Sequence, residues 1–160
     1  MLYIYVEPGT YNENIVFQDM TIRIVCSDAD NHAIFTNQID LSRNTNLFMQ
    51  NIDVLSTTDY SVRTLNGSYI FCRDCILSSN ANSIYFNGGR GFIQSCTISN
   101  SSPTAASIYA ISGSTVKLYQ CTINSTVAAR SRSLSEIIDY GTTTTGSFIS
   151  DSGGLIENRT

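Results

Sequence analysis

The sequence has little of what most catalytic centres use. Its 160 residues include one histidine, no tryptophan and only 14% charged side chains. The one histidine, His32, lies in the polar segment SDADNH, and we interpret it as a solvated loop residue rather than a catalytic base. Ser83 and Ser107 occupy matching places of a repeat, but a serine nucleophile needs a histidine-type base. We therefore interpret both serines as polar corner residues.

Cationic side chains are scarce as well. Nine Lys and Arg stand against thirteen Asp and Glu, which gives a formal net charge of −4 and a pI near 4.7. Nucleic-acid binding depends on Lys and Arg that neutralise phosphates, so the composition argues against a nucleic-acid partner. The abundant Ser, Thr and Asn predict a polar but uncharged surface, which suits carbohydrate or extensive protein contacts.

Long apolar runs are missing, and none approaches the length of a membrane helix. The N-terminal LYIYV is too short for a signal peptide and is followed at once by Glu7 and Pro8. We therefore expect no membrane partner, and a protein that is either soluble or lacks its targeting segment here. The length predicts a single domain with enough residues for a core.

The sequence does contain a repeat. The segments LFMQNIDV, YIFCRDCIL, GFIQSCTI and VKLYQCTI superimpose without gaps, and one column of the alignment holds Ile52, Cys75, Cys96 and Cys121. These four residues are 23, 21 and 25 positions apart. A period of about 20 to 30 residues is typical of solenoids, in which each repeat buries its apolar face against its neighbours.

Each repeat alternates apolar and polar residues, which is the pattern of β-strands and not of helices. Polar dipeptides such as Gln50-Asn51 and Arg73-Asp74 separate two short strands, and a third strand follows, as in SVRTLNG, SIYFNG and SIYAISG. The repeat therefore predicts an all-β protein, a right-handed parallel β-helix with three strands per turn. The inward positions of the first strand are predicted to be Leu47/Met49, Ile70/Cys72, Gly91/Ile93 and Val116/Leu118.

The same coil is expected over most of the chain, although the first forty residues fit it less closely. We predict about six turns, with one β-helix domain over residues 1–146 and an irregular final turn or tail over residues 147–160. The first strand begins almost at Met1, without the cover that usually closes a β-helix. Because uncapped strand edges invite association, we expect other protein subunits to bind the open ends or flanks, with a homotrimer among the assemblies left open.

Four of the five cysteines fall at inward positions of the repeat. Cys72 and Cys75 form a Cys-x-x-Cys pair, and Cys75, Cys96 and Cys121 are predicted to stack as small apolar side chains. Disulfide bonds and a metal site are the alternatives, but no histidine joins the cluster.

Tyr5 to Phe17, YVEPGTYNENIVF, resembles the Gly-x-Tyr-x-Glu segment of pectin methylesterases, which is carried here by Gly9, Tyr11 and Glu13. The stretch SVRTLNGSYIFCRDCILSSNANSIYFNGGRGFIQSC is similar to the part of that family in which successive turns each carry an aromatic residue, a strand-closing cysteine and a catalytic loop. The resemblance implies a pectin-lyase-like β-helix. For true members it also implies an esterase with an Asp nucleophile, a second Asp as acid/base and Gln residues that hold the oxyanion.

The residues of that chemistry are missing from the matching positions. Where the family has Gln-Asp-Thr-Leu-Tyr, residues 81–85 read ANSIY, and the family's Asp-Phe-Ile-Phe-Gly falls on Ser107–Ile111, which has no carboxylate. The Gln of the earlier turn would lie near Tyr60, and the family's Leu-Gly-Arg-Pro-Trp has no counterpart. We therefore predict no catalytic residue, no cofactor-binding residue and no metal ligand.

One pair of carboxylates could still support catalysis. Asp53 and Asp74 lie near the same corner of adjacent turns and could face outward together, as in a polysaccharide lyase or hydrolase. A calcium-assisted lyase would also need a third carboxylate and a nearby base, for which Arg73 and Arg90 are the only candidates. We interpret these side chains as a solvated rim of charge.

Three functions remain open from the sequence. The preferred hypothesis is a non-catalytic structural or interaction module, most of all a virion component such as a capsid decoration, spike or fibre subunit, located in a virion or an extracellular surface assembly. The second is an enzyme of the pectinesterase or pectate-lyase type that acts on acidic polysaccharide. The third is a carbohydrate-binding adhesive module, because Tyr60, Tyr69, Tyr85 and Tyr109 could stack on sugars.

Overall fold

A computed structural model describes residues 1–159 and shows an all-β parallel solenoid without a helix in that range. In chain order its strands are β1 (Leu2–Val6), β2 (Gly9–Tyr11), β3 (Ile15–Gln18), β4 (Thr21–Cys26), β5 (Ala33–Phe35), β6 (Ile39–Ser42), β7 (Asn46–Gln50), β8 (Ile52–Leu55), β9 (Tyr60–Leu65), β10 (Tyr69–Arg73), β11 (Ile76–Ser79), β12 (Asn82–Asn87), β13 (Arg90–Gln94), β14 (Thr97–Asn100), β15 (Ala106–Ile111), β16 (Thr115–Tyr119), β17 (Thr122–Asn124), β18 (Val127–Ser131), β19 (Glu136–Tyr140), β20 (Thr143–Thr144), β21 (Ser147–Ser150) and β22 (Leu155–Asn158).

Every third strand stacks in the same sheet. Sheet A has the order β1-β4-β7-β10-β13-β16-β19-β22, sheet B the order β2-β5-β8-β11-β14-β17-β20, and sheet C the order β3-β6-β9-β12-β15-β18-β21. Neighbouring strands pair in parallel throughout the three sheets, for example Ile70 with Gly91 and Gly91 with Val116. The predicted architecture of three strands per turn is confirmed.

The solenoid has seven complete turns and an eighth strand in sheet A, so the prediction of about six turns was too low. The first 42 residues make two turns although they match the central repeats less closely. Residues 147–159, the described part of the segment expected to be an irregular final turn or tail, contain the strands β21 and β22. These strands pair with β18 and β19, and the β18–β21 pairing has a register shift between Val127 and Ala129. Parallel backbone pairing with the neighbouring turn holds these segments in the solenoid although their sequences repeat only weakly.

The interior is filled by vertical files of apolar side chains, as the repeat predicts. Cys75, Cys96 and Cys121 are each only 2% exposed and sit directly above one another. The amides that follow each cysteine donate to the cysteine carbonyl of the turn before, with Thr97 N to Cys75 O at 3.0 Å and Thr122 N to Cys96 O at 2.9 Å. The predicted cysteine file is therefore confirmed.

The corners between sheets A and B use one backbone conformation in turn after turn. The second residue of each polar dipeptide has a positive φ of 50° to 54°, and these residues are Asn51, Asp74, Ser95 and Gln120. Successive corners are tied together by backbone hydrogen bonds, such as Ser95 N to Tyr119 O at 2.9 Å. The sharp turn predicted at the dipeptides is thus a single left-handed residue.

Five of the seven corners between sheets C and A place two successive residues at positive φ, and the second residue is glycine in three of them. Gly67, Gly113 and Gly153 hold this place with φ of 78°, 71° and 80°. At the sixth turn the place is taken by Leu134, with φ of 62° and a side chain that is 83% exposed. A left-handed leucine is strained, and exposure leaves its side chain without packing to offset the strain.

Replacing Leu134 with glycine should stabilise the protein. Relief of the left-handed conformation should stabilise the folded state by about 1 to 2 kcal/mol. Glycine also gives the unfolded chain more conformational entropy, which offsets about 0.5 to 1 kcal/mol of that gain. We expect a net gain of about 1 kcal/mol in the free energy of unfolding, measured by urea denaturation. Leu134→Ala removes the side chain but keeps the strain, so a similar gain in that control would contradict the explanation.

No helix long and apolar enough to cross a membrane occurs in the described part of the chain.

Candidate functional site

Asp53, one of the two candidate carboxylates, lies on β8 and is only 7% exposed. Its Oδ1 lies 2.7 Å from Nδ1 of His32 and accepts a hydrogen bond from the backbone amide of Ile76 at 2.9 Å. Both sequence-based interpretations of these residues were wrong: Asp53 is not a solvated charge, and His32 is a half-buried partner of Asp53 rather than a free loop residue. The carboxylate ties three successive turns together.

Asp74, the other candidate, occupies the left-handed corner between β10 and β11, where its carboxylate is half exposed and pairs with Arg73 at 3.0 Å. The register of sheet B continues from Leu77 opposite Val54, so the residue beside Asp53 in the next turn is Ile76 and not Asp74. The two carboxylates therefore do not form an outward-facing pair. Catalysis by a general acid and a second carboxylate requires both groups to reach the same substrate, and the positions of Asp53 and Asp74 do not allow this.

The segments that the resemblance aligned with catalytic loops belong to sheet C and serve its packing. Ile84 and Ile108 point into the core and are fully buried, while Tyr85 and Tyr109 face outward. The hydroxyl of Ser83 donates to the carbonyl of Ser99 in the next turn. Ser83 and Ser107 are fully buried as the second residues of β12 and β15, so they are strand residues and not the corner residues that we predicted. The hydrogen bond of Ser83 is a structural one.

The four candidate sugar-stacking tyrosines do not share a surface. Tyr60, Tyr85 and Tyr109 form a row on sheet C, with ring centroids 5.1 and 5.7 Å apart. The guanidinium of Arg63 lies 5.7 Å from the centroid of the Tyr60 ring. Tyr69 lies on sheet A instead, where it packs edge-on against Phe48. The rings of the row contact one another, which reduces the face area free to stack on a ligand.

The buried cysteine thiols are not activated as nucleophiles or metal ligands. All five cysteines are free and buried. Burial raises the pKa of Cys72 and raises that of Cys75 well above its ordinary value. Hydrogen bonding to Cys75, together with burial, raises the pKa of Cys96, and burial raises the pKa of Cys121 to about 12. Nucleophilic and metal-binding cysteines act as thiolates, whereas the raised pKa values keep Cys72, Cys75, Cys96 and Cys121 protonated at neutral pH.

The outer side of sheet A carries a row of aromatic rings that we did not predict from the sequence. Phe48, Phe71 and Phe92 occupy one outward file, in register on β7, β10 and β13. The Phe71 and Phe92 centroids are 5.5 Å apart with ring planes 7° from parallel, and the Phe48 and Phe71 centroids are 6.2 Å apart. The rings are half-buried, and the facing surfaces of Phe71 and Phe92 contact each other. The edges of these rings, which carry partial positive charge, are the part of each ring that a partner can contact.

Basic side chains surround this row. Arg23 and Lys117 continue the same outward file on either side of the three rings, opposite Phe48 and Phe92 respectively. Arg90 lies opposite Tyr69 on the neighbouring strand. We call the rings and the four basic residues beside them the cationic face, which consists of Phe48, Phe71, Phe92, Arg23, Arg73, Arg90 and Lys117.

Two shallow depressions flank the rings of the cationic face. One, of about 230 Å³, is lined by Arg23, Gln50 and Arg73 together with the first two rings, and the other, of about 210 Å³, is lined by Arg90 and Lys117 beside Phe92. Charge and apolar surface alternate here in a protein that is acidic as a whole. The arrangement is one that can bind anionic groups, but it offers no nucleophile or general base.

The sequence contained a signal for the aromatic row. Phe48, Phe71 and Phe92 stand between the two inward positions of three consecutive repeats, 23 and 21 residues apart. They form an outward column in the same alignment of repeats whose inward columns predict the core.

Comparison of the chain with family models, with curated proteins and with solved structures gives no match. The resemblance to pectin methylesterases rests on the residue pattern alone.

Proposed function

We propose that this protein is a non-catalytic β-solenoid that serves as a rigid structural or interaction module of a larger assembly. The observation that carries the proposal is the position of Asp53, whose carboxylate is buried and hydrogen-bonded to His32 and to the amide of Ile76. A catalytic acid or base must reach a substrate, whereas the Asp53 carboxylate is buried and hydrogen-bonded to groups of the two neighbouring turns. The remaining candidate, Asp74, pairs with its neighbour Arg73.

A solenoid of this kind suits a mechanical or connecting role. Its contacts join each turn to the next, so it forms a stiff rod whose surface repeats at the strand spacing of about 4.8 Å. We propose a virion as the setting, with the chain acting as a decoration, spike or fibre subunit. The support is a β-helix pattern that lacks the catalytic residues of the family it resembles, together with a surface rich in short uncharged side chains.

Carbohydrate binding is the second candidate, and the row of Tyr60, Tyr85 and Tyr109 on sheet C favours it. Tyrosine faces bind sugar rings when they are free. Because these rings pack against one another and Tyr60 also packs against Arg63, the row is better suited to stabilising the sheet. The structural or interaction module therefore remains our proposal.

The proposal predicts that the chain has no polysaccharide-degrading activity and that it joins an assembly. Purified protein should release neither methanol from methylated pectin nor products from polygalacturonate, and it should co-pellet with intact particles when these are purified from their source. Turnover that is lost in Asp53→Asn or Asp74→Asn would overturn the proposal. A protein that stays in the supernatant and forms no cross-links with particle components would argue equally strongly against it.

A further inference from the structure

Charge is distributed unevenly along the solenoid. Residues 1–60 contain two Arg and no Lys against eight Asp and Glu, a formal charge of −6, whereas residues 61–160 contain seven Lys and Arg against five Asp and Glu, a charge of +2. The first three turns, which end with β9 at Leu65, hold three Arg against the same eight carboxylates, a formal charge of −5, whereas the later turns carry a charge of +1. Such an asymmetry predicts interaction with a charged partner surface.

Carboxylates without ion-pair partners border sheet B in the first three turns. Asp28 and Asp30 lie in the corner between β4 and β5, and Glu7 lies in the corresponding corner of the first turn. Glu13 and Asp59 lie in corners between sheets B and C. All five are exposed, and none belongs to an ion pair within residues 1–159. We call these five residues the acidic border.

The cationic face has the opposite character. Arg23, Arg90 and Lys117 are exposed and take part in none of the ion pairs within residues 1–159, and Arg73 pairs only with its neighbour Asp74. Between β4 and β16 the outward files of sheet A contain no other charged residue. The half-buried rings of Phe48, Phe71 and Phe92 supply apolar surface between these charges.

We propose that the cationic face of one copy of this chain docks on the acidic border of a second copy. The proposal rests on the proposed role as an interaction module and names its partner. Contact between two cationic faces would set four positive side chains against four others, and such like-charge contacts are costly. Pairing the face with the acidic border instead matches opposite charges and covers the exposed ring edges.

A contact between two different surfaces of the same chain is heterologous and produces a closed ring or a filament. The flat area of sheet A is about 16 Å by 38 Å, from strands of five residues at about 3.3 Å each and eight strands at about 4.8 Å spacing. The acidic border covers only three turns, so the buried area falls below the roughly 800 Å² per partner of a stable interface. The association should therefore be reversible and dependent on concentration and salt.

Sedimentation velocity of the full chain tests the inference. At an ionic strength of about 0.01 M, where charges act over about 30 Å, we expect species larger than a monomer that grow with concentration. At about 0.1 M, where this length falls to about 10 Å, self-association should weaken by about tenfold or more. A chain that stays monomeric at both salt concentrations overturns the inference, whereas only polysaccharide turnover or failure to join particles would overturn the proposed function.

Charge-reversal variants identify the two surfaces. Arg90→Glu/Lys117→Glu and Asp28→Lys/Asp30→Lys should each be monomeric alone, because each has one reversed surface. Mixed together they should associate, since the unaltered face of one variant fits the unaltered border of the other. Arg130→Glu/Arg132→Glu makes the same charge change as the first variant beside sheet C and should leave self-association intact. Loss of association in that control, or no association in the mixture, contradicts the proposed contact.

Discussion

A valine at Gly91 should destabilise the protein by about 3 kcal/mol, at the upper end of the usual cost of overpacking a core. Gly91 occupies an inward file of sheet A between Ile70 and Val116. A Cβ at this position would lie 2.5 Å from Cζ of Phe86 and 2.6 Å from its Cε1. The fully buried ring of Phe86 therefore fills the space that the aliphatic side chains of the file fill in other turns.

The interaction between the two residues can be measured by a double-mutant cycle. Phe86→Ala alone should cost about 3 to 5 kcal/mol through the cavity it leaves. In Gly91→Val/Phe86→Ala the valine enters that cavity, so the loss in the free energy of unfolding should fall short of the sum of the two single losses by about 1 to 3 kcal/mol. Urea denaturation followed by circular dichroism gives all three values.

Ile70→Val is the matched control, because it places the same side chain one turn away in the same file. It should cost only about 1 kcal/mol. Losses that are strictly additive in the cycle, or a Gly91→Val variant as stable as the parent, would show that Phe86 does not occupy the space above Gly91.

The fold was predictable where the chain repeats itself. The cysteine file, the inward aliphatic positions and the corner dipeptides all follow from residues that recur at 21 to 25 positions, and parallel stacking of equivalent residues converts such recurrence into vertical files. Gly91 shows how far this reasoning extends. Its column predicted an inward position, but the compensating Phe86 belongs to another sheet, and nothing in the spacing pairs the two columns.

The ends of the solenoid were harder to predict for a related reason. Strands β1 to β6 and β19 to β22 contain short apolar segments that match the central repeats less closely. Such strands are defined by pairing with the turn next to them, which is a non-local interaction and leaves only a weak local pattern. This explains why about six turns were predicted where the solenoid has seven, and why the segment that contains β21 and β22 was predicted only as an irregular final turn or tail.

The side chains outside the core were the least predictable. His32 precedes Asp53 by 21 residues, and the segment SDADNH has the composition of a solvated loop. Only the stacking of turns brings the imidazole and the carboxylate to 2.7 Å. The rings of Phe48, Phe71 and Phe92 were visible in the sequence as a column between the predicted inward positions, but the stacking of Phe71 on Phe92 is known only from the structure.

Removing the carboxylate of Asp53 should be the most damaging change to the outside of the solenoid. Asp53→Ala leaves the amide of Ile76 and the ring of His32 without their partner, and an unpaired buried polar group costs about 1 to 3 kcal/mol. We expect a loss of about 3 kcal/mol in the free energy of unfolding. Asp53→Asn keeps an oxygen for the Ile76 amide and should lose less, about 1 to 2 kcal/mol, since hydrogen bonds to charged groups are the stronger ones.

Asp74→Asn is the matched control, because asparagine tolerates the positive φ of this corner and only the exposed pair with Arg73 is lost. Exposed ion pairs contribute about 0 to 1 kcal/mol, so this variant should stay close to the parent in urea denaturation. If Asp53 and Asp74 were instead two acids of one catalytic site, their removal would change activity together and stability little. A stable Asp53→Ala variant would therefore contradict the structural role of the carboxylate, and with it the main support for a non-catalytic module.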